Sequence, residues 1–317
     1  MPKRTKTVMI ALGGNALSPK TESSNINEQF SHTRESLQAV MHFVRENYNI
    51  CITHGNGPQV GDELARNEIA SNVIPPLPLG ILVANTQGAI GYMIQQSLQN
   101  CIYNEKSERE VVSFVSQMKV DVNDPSIKKV SKFIGQSYTA DEAQMYIDKF
   151  GWCMKEQESK QWRRVVPSPK PLYIFNGKSI KHLVDFGTIV IAGGGGGIPA
   201  YNLKDGTLQG IDGVIDKDMT AALLGRIIKA QKLFIITDVD NIYLNYKTGT
   251  QEIIRETTTS NIKSWLKSGH FWEGTMEPKI RAALYFLKYH GKEVVITSIK
   301  NIKQAIQKKA GTRIINK

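Results

Sequence analysis

Thr7-Val8-Met9-Ile10-Ala11-Leu12-Gly13-Gly14-Asn15 is the stretch that decides the fold. Its first six residues form a continuous run, too short for a stable helix and dominated by large apolar side chains. Such a run reads as a strand covered on both faces, and the glycine pair marks a turn at its carboxyl end. The same arrangement recurs. Residues 49–53 form a second such strand and run into His54-Gly55-Asn56-Gly57-Pro58-Gln59. Pro58 suits the first turn of a helix, where its missing N–H costs nothing. Residues 189–192 form a third strand and lead into five consecutive glycines, 193–197. Further strands are expected at 111–115, 233–237 and 293–297. Residues 28–48 carry Leu37, Val40, Met41 and Val44 at i, i+3, i+4 and i+7, one face of a helix. Residues 80–102 form another, with Gly88 and Gly91 smoothing one side, and later helices fall at 219–229, 278–290 and 302–309. Strands alternating with helices imply an α/β fold: a mainly parallel sheet between two helical layers.

The chain of 317 residues can bury a full core without metal or disulfide staples. Its 41% hydrophobic and 22% charged residues are those of a globular protein. No apolar run reaches the roughly 18 residues that a membrane span needs. The opening Met1-Pro2-Lys3-Arg4-Thr5-Lys6 runs straight into a six-residue strand, too short for a secretory core. The expected location is cytoplasmic. Three cysteines, Cys51, Cys101 and Cys153, are odd in number and far apart, which excludes a disulfide framework. The six histidines lack the pairings of a zinc site. The net charge of +11 raises the question of nucleic acid, but nine of those charges lie in the first six and last eighteen residues. That last segment holds no aromatic residue on which a base could stack. A solvated basic surface is the expected reading, with no nucleic acid and no membrane as partner.

One region breaks the alternation. Residues 121–171 are polar and lysine-rich, with a clear helix only at 141–150. A stretch this long without core periodicity is disordered or projects from the sheet, and Trp152, Trp162 and the tyrosines favour a projecting lobe.

In a parallel sheet all three glycine clusters lie at the carboxyl edge, where open α/β sheets bind ligands. Glycine lets backbone N–H groups approach an anion, and a following helix adds its dipole. Three such turns on one edge point to phosphate. The spacing is neither that of a P-loop nor that of a dinucleotide fingerprint. Phosphoryl transfer also needs positive charge near the moving group. Lysines beside acids at helix starts are candidates: Asp216-Lys217-Asp218 and Glu277-Pro278-Lys279.

These residues carry a resemblance. Ala11-Leu12-Gly13-Gly14-Asn15-Ala16-Leu17, Thr53-His54-Gly55-Asn56-Gly57-Pro58-Gln59-Val60-Gly61 and Gln87-Gly88-Ala89-Ile90-Gly91-Tyr92 resemble signature blocks of the carbamate kinases. So do Trp162-Arg163-Arg164-Val165-Val166-Pro167-Ser168-Pro169, Gly196-Gly197-Ile198-Pro199, Val214-Ile215-Asp216-Lys217-Asp218 and Gly311-Thr312, in family order along the chain. The resemblance implies an amino-acid-kinase fold: a three-layer α/β/α domain over 1–317 with an open sheet of about eight strands. It further implies a protruding lid-like subdomain at 121–171, a nucleotide-binding half at about 188–317, and a homodimer. The implied reaction is reversible phosphoryl transfer between ATP and carbamate with Mg²⁺, run toward ATP in arginine or related fermentation. Lys217 and Asp218 match the family's lysine and charge-organising aspartate, Lys279 a second lysine, and Lys132 the lysine of the subdomain. Gly13, Gly14, Asn15, Gly55, Asn56 and Gly57 are then expected to hold carbamate and the phosphoryl group. Gly196, Gly197, Asp216, Lys217, Asp238, Met276 and Lys279 are expected at the nucleotide. Mg²⁺ is expected to ride mainly on the ATP phosphates, with no metal ligand assigned to the protein.

The chain departs from the family pattern in places. Gly-Ser-Met-Gly-Pro-Lys becomes Gly274-Thr275-Met276-Glu277-Pro278-Lys279, and the lobe carries Phe133 for proline and Ser137 for phenylalanine. Gln161 stands where glycine precedes Trp162. Glu277 puts an anion beside a phosphate site, which weakens nucleotide binding unless it turns away or meets a cation. Two readings compete: a sibling kinase acting on another acid such as an acylated glutamate, against which the lobe block and Trp162-Arg163-Arg164 argue, and a weakened basic binding protein, motivated by Glu277 and the charged termini.

Overall fold

A computed structural model describes residues 6–17, 25–157, 159–246, 248–271 and 276–316, leaving aside the side chains at 15, 16, 38 and 39. Eight strands form one sheet. In spatial order they are Glu256–Thr258, Thr312–Ile315, Glu293–Ser298, Lys232–Thr237, Thr7–Leu12, Asn49–His54, Ile189–Ile191 and Val111–Ser113. All neighbours run parallel except Glu293–Ser298 against Thr312–Ile315. Thr7–Leu12 lies in the middle, and the chain builds outward from it in both directions. Its carboxyl end is therefore a switch point, the place where such sheets leave a crevice.

Every residue of Thr7–Leu12 is buried, and the period of two divides them between two cores. Val8, Ile10 and Leu12 pack with Ile50, Ile52 and Phe234 beneath helices Ile26–Arg45 and Leu79–Asn104. Met9 and Ala11 face the other way, toward helices Lys217–Ile227 and Glu277–Lys288. Each fully buried large side chain contributes about 1.5–3 kcal/mol, so the central strands anchor the domain.

The projecting region is ordered. Lys132–Tyr138, Trp162–Val166 and Met154–Glu156 make an antiparallel three-stranded sheet beside helix Ala140–Phe150. Thr139 caps that helix in a reciprocal box with Glu142, and Gly151 ends it at φ 65°. Ile134 and Val166 from this lobe join Val60, Leu64 and Leu82 of the body in a small core of their own. Tyr138 Oη donates 2.8 Å hydrogen bonds to Glu68, and Arg164 pairs with Asp212 at 2.7 Å while lying 4.3 Å over Trp152.

The expected strand at 111–115 stops at Ser113, because the chain leaves the sheet and forms Gln117–Lys119 of a separate four-stranded sheet. The expected helix at 302–309 is only Ile302–Ile306. No helix among the described residues is long and apolar enough to cross a membrane.

Candidate functional site

A cavity of about 950 Å³ opens at the switch point, between the carboxyl edge of the sheet and the lobe. Two glycine turns form one wall. Gly55 follows its strand so tightly that a Cβ there would sit 2.7 Å from Gly14 N and 3.2 Å from Lys217 Cδ. Only hydrogen fits between the two turns and the lysine stem. The N–H groups divide in use. Gly13 donates to Ile236 O and Gly55 to Leu12 O, both at 2.8 Å, so these two close the turns and are spent. Gly14 and Gly57, at the starts of helices Gly14–Leu17 and Gly57–Ala70, line the cavity. Asn56 is held by its side-chain amide, which donates to Thr86 Oγ1 at 2.9 Å. The side chain of Asn15 lies outside the described residues.

The third cluster takes a different part. Gly195, Gly196 and Gly197 have φ of 62°, 91° and 89°, where an L side chain is strained. Gly195 alone of the three reaches the cavity. A Cβ on Gly196 would meet Ile215 O at 2.0 Å, and one on Gly197 would meet Met118 Cγ at 2.3 Å. Their N–H groups already bond Gly193 O and Gly194 O. Gly196 and Gly197 thus pack against Ile215 and Met118 behind the cavity wall.

Beside the turns stands a buried charge cluster. Asp216 caps helix Lys217–Ile227, accepting from Asp218 N at 2.9 Å and Met219 N at 3.2 Å. This fixes Asp218, only 2% exposed, between two ammonium groups. Lys217 Nζ bonds one carboxylate oxygen, and Lys279 Nζ lies 3.4 Å from the other. Burial pushes the Asp218 carboxyl up, but Lys217 and Lys279 outweigh it and hold the group below its ordinary value. Burial likewise works against charge on Lys279, and Asp218, Asp216 and Asp238 more than restore it, raising its pKa. From the lobe, Lys132 Nζ reaches to 3.8 Å from Asp216. Lys132, Lys217, Asp218 and Lys279 therefore meet at one cavity, with Asp238 and Met276 farther along its wall.

The amino acid kinase family model matches residues 6–298. A carbamate kinase of Pyrococcus furiosus is 37% identical over 98% of this chain and 99% of its own. One from Staphylococcus epidermidis is 38% identical over 97% of this chain and 98% of its own. The solved carbamate kinase of Giardia lamblia bound to AMP-PNP superposes with a TM-score of 0.91 at 37% identity, covering 98% of this chain and 99% of that one. The chain belongs to the carbamate kinase family.

In this family member Glu277 turns away from the cavity. Arg281, one turn on, donates to Glu277 at 2.6 Å, and Glu277 is absent from the cavity wall. Glu277 thus meets a cation, the condition under which it need not disturb a neighbouring phosphate. Gly274 and Thr275 lie outside the described residues. Phe133 and Ser137 both face the cavity, and the guanidinium of Arg163 lies 5.9 Å from the Phe133 ring. Gly135 allows this edge to bend: its φ is 70°, the strand register shifts there, and its carbonyl accepts from Arg163 at 2.7 Å. The sequence reading missed Tyr243, Tyr246, His270 and Phe271, which make the far wall an aromatic shelf. Tyr243 and Tyr246 sit on and beside a hairpin just beyond the central strand Lys232–Thr237, a position that could have flagged them.

Proposed function

We propose that this carbamate kinase family member transfers a phosphoryl group reversibly between ATP and carbamate, giving ADP and carbamoyl phosphate. The observation that carries the reading is the Lys217–Asp218–Lys279 cluster set beside the Gly14 and Gly57 turns in the wall of one cavity. The names of the full-length relatives support it, as does the AMP-PNP bound by the Giardia enzyme.

Carbamate is already an anionic oxygen nucleophile, so the reaction needs alignment and charge neutralisation more than a base. Gly14 and Gly57 N–H groups hold the transferring phosphoryl. Lys217 and Lys279 neutralise the nucleotide phosphates, and Asp218 fixes their spacing. Lys132 closes over the acyl phosphate from the lobe. Asp216, Asp238, Met276 and the aromatic shelf line the nucleotide's end.

The residues fit a magnesium ion carried in on phosphate. Among the described residues no three His, Cys, Asp or Glu side chains gather as a metal cage, and Mg²⁺ commonly takes one or two carboxylates plus phosphate oxygens. Asp216 and Asp238 are the carboxylates available for that. When bound, the ion would neutralise phosphate charge. The proposal extends to the homodimer implied by the resemblance, which sedimentation tests.

The deciding experiment is ATP formation from ADP with carbamoyl phosphate, compared with an acylglutamyl phosphate donor. Turnover with the first alone is expected. Preference for the second would assign a sibling activity.

A further inference from the structure

We infer that His54 is a positioning residue for phosphoryl transfer, acting through the Gly55–Asn56 peptide. The inference rests on the proposed reaction, but its geometry is independent of the substrate. His54 ends the strand Asn49–His54 and is 1% exposed. Its Nδ1 lies 3.0 Å from Gly55 O. A carbonyl can only accept, so Nδ1 carries the proton and donates it. The ring is held from behind by the glycine run, where a Cβ on Gly194 would sit 2.3 Å from His54 Nε2. Burial also lowers the His54 pKa to about 4, so at neutral pH the ring is uncharged and this tautomer persists.

The bond fixes more than one oxygen. The chain has no cis peptide among the described residues, so Gly55 C=O and Asn56 N–H point in opposite directions. Holding the carbonyl toward the ring turns the Asn56 N–H toward the other turn. Asn56 N lies 3.5 Å and Gly57 N 3.2 Å from where a Cβ on Gly14 would stand, and all three residues line the cavity. Gly55 N–H is already tied to Leu12 O, and the Asn56 side chain to Thr86. His54 supplies the remaining restraint, against a peptide flip that would aim a carbonyl at the phosphoryl group. Glycine at 55 makes that flip easy, since no side chain resists it.

The test compares three variants. His54→Leu fills the space without a donor, His54→Gln places its amide near the Nε2 position, and His54→Asn restores a donor near Nδ1. Expected are kcat losses of about 10²-fold for Leu and Gln, the scale of one misplaced oxyanion donor. Asn should recover at least tenfold of that, and KM for ADP should stay within about twofold throughout. Calorimetric binding of carbamoyl phosphate should weaken in Leu and Gln and recover in Asn. That readout needs no turnover, so it separates this inference from the assignment of reaction, which the wild-type assay tests alone. If Leu fails to fold, Gln carries the comparison. Wild-type kcat in Leu or Gln, or an Asn variant no better than either, would overturn the inference.

Discussion

Replacing Asp218 with Asn keeps the shape of the cluster and removes its only fully buried charge. The Lys279 ammonium, 3.4 Å away, then loses an attraction of about 5 kcal/mol at an effective dielectric near 20. Lys217 loses a still closer contact. Desolvation already offsets much of this in the wild type, so the net loss of stability is about 3–5 kcal/mol, the usual cost of leaving a buried charge unpaired. The sign with pH follows from the direction of each shift. Asp218 is held below its ordinary 3.8, so its contribution is complete above that value and fades as acid titrates the folded carboxylate. Lys279 is raised above 10.5, so its contribution is present below that value and fades only at higher pH. In the Asn variant burial acts on Lys279 without its largest charge partner, while Asp216 and Asp238 still oppose it. The alkaline limb of its activity profile should therefore move to lower pH. Urea unfolding at pH 7 and a pH series of kcat for ATP formation measure both effects, with kcat at neutrality expected to fall about 10²–10³-fold. ADP should bind no worse, because the freed ammonium groups still face its phosphates. A variant within about 1 kcal/mol of wild type and threefold of its kcat would refute this account of the cluster.

Glu277→Gly should leave calorimetric ADP affinity unchanged and lower stability by about 1 kcal/mol, from the lost Arg281 pair and the glycine itself; tighter ADP binding would return Glu277 to the site. Lys132→Ala should raise KM for carbamoyl phosphate about 10–100-fold, as loss of a charged hydrogen bond does, and KM for ADP far less; equal rises would show that the lobe closes over the whole site. Gly55→Ala should destabilise by about 1–3 kcal/mol on overpacking, since its Cβ would stand 2.7 Å from Gly14 N, and should also depress kcat; a wild-type melting temperature and rate would contradict the close approach of the two turns.

The central strands were legible because burial on both faces writes a continuous apolar run, as in Val8 to Leu12. Lys217 and Asp218 were legible because a helix start beside a strand edge leaves a lysine little else to do. The edge strand Glu256–Thr258 and its neighbour Thr312–Ile315 were not, being only three and four residues long, too short to carry a periodic signal. The glycines differ in a way the sequence does not show. A glycine needed for ligand approach and one needed for packing look alike in sequence, and only the neighbours of Gly196 and Gly197 tell them apart. Hydrogen-bond destinations are equally invisible, so the spent N–H groups of Gly13 and Gly55 could not be foreseen. The Glu277–Arg281 pair could have been: the spacing is i, i+4 on a helix, in the favourable acid-first order.

The site divides into parts held with different firmness, and this bears on how each lysine acts. Lys217 and Lys279 are fixed by a buried carboxylate that is itself set by a helix cap, so their positions are part of folding stability. Lys132 has 39% of its side chain exposed, and its ammonium reaches Asp216 of the body at 3.8 Å. An exposed pair of that length contributes under about 1 kcal/mol, so it cannot by itself hold the lobe down. The lobe is instead anchored at its base, by Tyr138 on Glu68, Arg164 on Asp212 and the small core around Ile134 and Leu64. Glu68 is buried at this base, which raises its pKa, while Tyr138 partly offsets that by donating to it. With the lobe held by its base, the Lys132 ammonium is free to exchange Asp216 for the phosphate that the proposed reaction would bring, at little cost. The two buried lysines have no such freedom, and they are the ones that must already stand in place when the phosphoryl group moves.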